Sequence, residues 1–135
     1  MKRAETGTYE VTSVGGESVR AFVPAPLVNA MADVALTHGG HGTVQTALAS
    51  GTPIVGVGMQ PEQQINLDNV VSAGAAIRIQ AGRWKVTAIQ AAIGEALTRP
   101  RYRESARRLQ QSLRAIDGRK AAAAAVWDFA IARLG

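Results

Sequence analysis

Apolar positions along this chain follow two rhythms, one of short β-branched runs and one of helical spacing. YEVTSV (9–14) and SVRAF (18–22) are short and rich in β-branched or aromatic residues, and Gly15 and Gly16 between them signal a turn. They predict two strands. After Pro24 and Pro26, LVNAMA (27–32) reads as one or two helical turns, and Asp33 leads into VALT (34–37), an apolar run of strand length.

The middle of the chain repeats one unit. Thr43 to Ser50 has helix-compatible residues, Gly51 sits where a left-handed cap would close that helix, and Pro53 separates it from the apolar IVGV (54–57). A second cycle follows: the loop GMQPEQ (58–63), a helix over Gln63–Ala73, Gly74 as its stop, and a strand AAIRI (75–79). Thr87 and Gln90 have the spacing of a capping box, and Ile89, Ile93 and Leu97 form one stripe before Arg99 and Pro100. Tyr102, Ala106, Leu109, Leu113 and Ile116 recur at helical spacing up to Gly118. The alanine-rich tail predicts a last helix carrying Trp127, Phe129 and Ile131.

Strands alternating with helices predict an α/β fold, a Rossmann-like parallel sheet flanked by helices, with ligands gathering at the carboxyl ends of the strands. At 135 residues the chain is read as a single domain, 1–135.

Composition narrows the picture. With 47% hydrophobic and 19% charged residues the chain is globular rather than disordered. The absence of cysteine removes disulfide frameworks, thiolate metal sites and thiol nucleophiles. No apolar run approaches the ~20 residues of a transmembrane segment, and the start lacks a secretory signal, so a cytoplasmic location is the expectation. The net charge of +5 owes much to arginines between Arg99 and Arg119. That clustering reads as a solvated helix face rather than a nucleic-acid surface.

The candidate chemistry lies in THGGHGT (37–43), which packs three glycines and both histidines of the chain into the turn before the first helix of the repeated unit. A helix start offers unpaired N–H donors and about half a positive charge, so an anion gains from sitting there if no side chain blocks it. Gly39, Gly40 and Gly42 would clear the approach. His38 can donate from its ring to the same anion, and Thr43 adds a hydroxyl, a set that suits a phosphate or diphosphate. The residues alone leave another reading open, in which the glycines merely permit a tight turn and His38 and His41 are packed or solvated. The stretch is neither the lysine-bearing phosphate loop of kinases nor the dinucleotide fingerprint of dehydrogenases.

Set in order, H-G-G-x-G-T (38–43), A-L (47, 48), G-x-P (51–53), E-Q (62, 63), N (66) and V-x-x-x-G (70–74) form a wider pattern. It resembles the C-terminal, donor-binding lobe of GT-B-fold glycosyltransferases, in particular bacterial UDP-glycosyltransferase-like enzymes acting on natural products and lipids. The likeness runs over about residues 18–135, which leaves 1–17 as a leader outside the family pattern.

The resemblance implies that His38, Gly39, Gly40, Gly42 and Thr43 hold the diphosphate of a nucleotide sugar, a UDP- or dTDP-sugar, as donor substrate. It implies that Phe22, beside Val23, stands where the family often has a tryptophan stacking on the base, and that Glu62 and Gln63 stand for the pair that grips the sugar hydroxyls. Alone, Glu62 and Gln63 read as a solvated helix start. Gly58 departs from a usual proline, and Thr46 from a glutamate that binds ribose in plant members.

Sugar transfer builds negative charge on the leaving phosphate, and donors aimed at that oxygen, His38 and Thr43 among them, would stabilise it. The four aspartates are isolated and no D-x-D pair exists, so metal independence and no cofactor are expected. The family's general base and acceptor pocket belong to an N-terminal lobe, so no catalytic base is assigned in this chain. The expectation is a donor-binding half, inactive without that lobe or a partner subunit, and prone to self-association through a strand edge near 9–22. Two other readings stand beside it: a non-catalytic nucleotide-binding or scaffold module, and half of a GT-B-fold nucleotide-sugar epimerase.

Overall fold

The computed structural model describes residues 11–14, 17–20 and 23–134. Strands β1 (Val11–Val14) and β2 (Glu17–Arg20) pair antiparallel, Val14 opposite Glu17. They form a two-stranded sheet of their own, so each has a partner along one side. Phe22 lies outside the described residues.

From residue 25 onward the chain alternates as its apolar pattern dictates. Helix α1 (Ala25–Met31) leads to β3 (Ala35–Thr37), α2 (His41–Ala49), β4 (Ile54–Gly56), α3 (Pro61–Ser72) and β5 (Ala76–Arg78). Proline stands in the first turn of α1 and α3, where its missing N–H costs nothing. Gly51 and Gly74 follow α2 and α3 in the left-handed region, at φ 72° and 79°, which ends each helix and turns the chain into the next strand.

Strands β3, β4 and β5 form a parallel sheet in sequence order, with Ala35 opposite Ile54 and Ile54 opposite Ala76. Side chains alternate across a strand, and β4 shows the consequence. Ile54 joins Val44, Ala47 and Leu48 of α2, Leu67 and Val70 of α3 and Ala106 in one core. Its neighbour Val55 joins Ala92 and Ala96 on the opposite face. β4 is buried on both faces, as a central parallel strand must be.

Helix α4 (Val86–Thr98) covers the second face, α5 (Pro100–Arg114) contributes Ala106 to the first, and α6 (Gly118–Leu134) follows. The expected capping box at Thr87 and Gln90 is not formed. α4 starts two residues earlier than that pattern requires, its N-cap is Lys85, and no side chain caps it. The reciprocal cap is found at α3, between Gln60 and Gln63.

The arginines of α5 behave as a solvated face in part only. Arg101 and Arg107 are exposed, whereas the Arg103 guanidinium donates to the Asp33 carbonyl at 2.8 Å and its carboxylate at 3.0 Å, tying α5 to the segment before β3.

Candidate functional site

Parallel strands send their carboxyl ends to one edge of the sheet, and here β3 and β4 are each followed there by a helix start. The loop after β3 opens α2; the loop after β4 opens α3. The glycine-rich stretch and Glu62-Gln63 therefore meet at one edge although they are far apart in sequence.

Helix α2 begins at His41, two residues earlier than its apolar pattern suggested, so Gly40 is the N-cap and His41, Gly42 and Thr43 form the first turn. No side chain caps this end. Val44 N–H donates to the Gly40 carbonyl at 3.0 Å. Among the described residues, the N–H groups of Gly40, His41, Gly42 and Thr43 have no acceptor on the chain. Four donors at the positive end of a helix dipole are thus left without a partner among the described residues.

Each glycine has a different reason to lack a side chain. Gly39 is buried at φ 85°, and a Cβ there would stand 2.7 Å from Leu67 Cγ and 2.8 Å from the Gln63 carbonyl oxygen. Gly40 lies under the His38 ring: a Cβ there would be 2.6 Å from His38 Nε2. At Gly42 a Cβ would meet nothing within 4 Å. Gly39 is required by its backbone and its packing, Gly40 is close only to the exposed His38 ring, and Gly42 is bare toward open space.

His38 is exposed, with its Nε2 turned to the start of α2. Thr43 is exposed on the first helical turn.

Thr37, the last residue of β3, is buried and its Oγ1 accepts from Gly39 N–H at 3.3 Å. Thr46 is not free for a ligand: its hydroxyl donates back to the Gly42 carbonyl at 2.7 Å. Val23 is half-buried ahead of α1.

At α3, Gln63 Oε1 accepts from Met59 N–H at 3.0 Å and Gln60 N–H at 3.3 Å, which caps the helix and leaves the amide nitrogen as its remaining polar end. Glu62 is exposed, its Oε1 accepting from Asn66 Nδ2 at 2.7 Å. The same Asn66 nitrogen donates to the Gly39 carbonyl at 3.1 Å. Asn66 was visible in the sequence as a member of the spaced pattern and had no role there. A helical i,i+4 relation to Glu62 was readable, but its reach across 27 residues to the glycine loop was not.

Among the described residues there is no group of three or more His, Cys, Asp or Glu side chains arranged to hold a metal ion. No described helix is long and apolar enough to cross a membrane.

The chain is similar to known proteins over this same region. Residues 4–118 match the family model described as Erythromycin biosynthesis protein CIII-like, C-terminal domain. A PGL/p-HBAD biosynthesis rhamnosyltransferase of Mycobacterium bovis is 32% identical over 107 residues, which is 78% of this chain and 24% of the relative. Among solved structures, the calicheamicin glycosyltransferase CalG4 is 28% identical with a TM-score of 0.72, over 80% of this chain and 28% of that one. The glycotransferase of kitacinnamycin is 36% identical with a TM-score of 0.65, over 70% of this chain and 24% of that one. The chain therefore spans about a quarter of the length of the curated relatives it matches.

Proposed function

The chain belongs to the family of Erythromycin biosynthesis protein CIII-like C-terminal domains, glycosyltransferase lobes of the GT-B fold, and from that premise we propose that it binds the diphosphate of a nucleotide-sugar donor at the start of α2. One observation carries the reading: the first amides of α2 have no acceptor among the described residues, and the residue between His41 and Thr43 is a glycine whose missing side chain faces open space. An anion there gains several N–H donors at once and loses little water-facing protein surface.

In this reading the chemistry is electrostatic. Cleavage of the sugar–phosphate bond leaves charge on a diphosphate oxygen, and amides already held in place stabilise it without reorganising. His38 Nε2 and the Thr43 hydroxyl add donors from the loop and from the first turn. The exposed Glu62 carboxylate and the free amide end of Gln63 face the same sheet edge and suit sugar hydroxyls, which both donate and accept.

The donor is a UDP- or dTDP-sugar, the transfer needs no metal or further cofactor, and the base that deprotonates the acceptor comes from a second lobe. Phe22 would meet the nucleotide base, with Val23 beside it. The chain alone is thus a donor-binding half, and full activity would require that lobe on the same or another chain.

Calorimetry with UDP and with dTDP tests the reading. At least one is expected to bind the wild type, with affinity falling about tenfold in His38→Ala and in Thr43→Val, the scale of a hydrogen bond to a charged group. No heat from either nucleotide, or equal affinities in all three proteins, would return the site to an ordinary tight turn.

A further inference from the structure

We infer that Asn66 is a positioning residue: its single amide nitrogen ties the glycine loop to Glu62 and sets the direction of the Gly40 N–H donor. The inference rests on the diphosphate reading above.

The geometry is specific. Asn66 sits on α3, and its Nδ2 carries two hydrogens that find two different acceptors, the Gly39 carbonyl at 3.1 Å and Glu62 Oε1 at 2.7 Å. The Gly39 carbonyl belongs to the same planar peptide as the Gly40 N–H. No cis peptide is present among the described residues, so the two point in opposite directions. Drawing the carbonyl toward α3 turns the Gly40 N–H to the far side of the loop, where no described residue accepts from it.

The peptide plane needs such a clamp because its residues are both glycines. Gly39 is already in the left-handed region at φ 85°, and neither residue has a Cβ to bias rotation of the peptide between them. The Thr37 hydroxyl holds the preceding peptide through the Gly39 N–H at 3.3 Å, and Asn66 holds the next one. Without Asn66 the 39–40 peptide can rotate and present a carbonyl oxygen where an anion needs an N–H.

The second hydrogen bond extends this control to α3. The short contact to Glu62 fixes the carboxylate on the loop side of that helix, so one side chain sets the spacing between the anion donors and the group proposed for the sugar hydroxyls. Substitution here changes ligand binding without touching a ligand atom.

The test is Asn66→Ala, read by calorimetry with UDP and dTDP and by amide-resolved NMR titration with the same nucleotides. The expected result is about tenfold weaker binding, with the Gly40 amide resonance losing its response to nucleotide while those of Gly42 and Thr43 still move. A residue that only stabilised α3 would lower the melting temperature and leave the Gly40 response intact at saturation.

Asn66→Asp keeps the side-chain shape but turns the donor into an acceptor. It carries the same expectation if the alanine variant does not fold. Wild-type affinity and a responding Gly40 amide in the variants would overturn the role of Asn66 and leave the diphosphate reading standing. Failure of the wild type to bind either nucleotide would instead remove the reading itself, and this inference with it.

Discussion

Leu67 lies directly against Gly39: a Cβ on that glycine would stand 2.7 Å from Leu67 Cγ and 2.8 Å from its Cδ1. Leu67 is fully buried, and it also lies against Gly56 of β4, where a Cβ would be 2.5 Å from its Cδ2. One leucine of α3 thus fills the floor beneath the loop that follows β3. The loop that leads into α2 is held at its height by packing from the next helix.

Gly39→Ala and Gly42→Ala should separate fold from ligand. The first meets both a left-handed backbone and a clash with Leu67 and the Gln63 carbonyl, and is expected to cost about 2 kcal/mol or more. The second finds open space within a helix and should leave stability unchanged or slightly raised. Urea unfolding of both proteins checks the difference. Nucleotide titration of the second should show weaker binding, because the added methyl stands in the anion's approach.

Leu67→Ala empties that floor. A buried leucine truncated in a close-packed core costs about 2–5 kcal/mol, depending on how far the site collapses. The loss is expected in denaturant unfolding. Hydrogen exchange at Gly39 and Gly40 should accelerate more than at β5, since the loop rests on the missing side chain.

Gln63→Ala removes the acceptor shared by the Met59 and Gln60 amides. Loss of such a cap is expected to cost about 1 kcal/mol, seen as a lower melting temperature. In the functional reading the same variant also weakens a nucleotide sugar more than its nucleoside diphosphate, which paired titrations would show.

Stability should fall in acid through Glu95. The Tyr102 hydroxyl donates to Glu95 Oε1 at 2.6 Å and the Arg101 guanidinium at 3.0 Å. The tyrosine hydrogen bond, above all, holds the carboxyl below its ordinary value of 4.5, partial burial works against it, and Arg101 assists. A carboxylate with a depressed folded-state pKa stabilises the fold above the unfolded value and loses that contribution as pH drops through the depressed one. The effect is small because the Glu95 side chain is 41% exposed. Urea unfolding at pH 7 and pH 3 should show Tyr102→Phe losing more stability at the higher pH. An NMR titration should place its Glu95 pKa above that of the wild type.

Much of this protein was determined by local sequence. Alternation of short apolar runs with helical stripes fixed β3, α2, β4, α3 and β5 because burial on two faces demands continuous apolar strands and one-sided helices. Gly51 and Gly74 marked helix ends because left-handed backbone favours residues without a Cβ. The glycine loop marked itself as the candidate site for a similar reason, and the spaced pattern around it resembled the family to which the chain belongs.

Tertiary structure decided what the pattern could not. Helix starts were misjudged by two residues at both α2 and α3, because capping is settled by which side chain reaches which amide. The same geometry moved the reciprocal cap from Thr87 and Gln90 to Gln60 and Gln63. Three glycines that looked alike in sequence became one required by its backbone and packing, one close only to the exposed His38 ring and one facing open space. Asn66, which had no role until the chain was folded, joined residues 39 and 62. Periodicity reports which face of an element is buried; only the packed chain brings a donor on one helix to an acceptor on a loop 27 residues away.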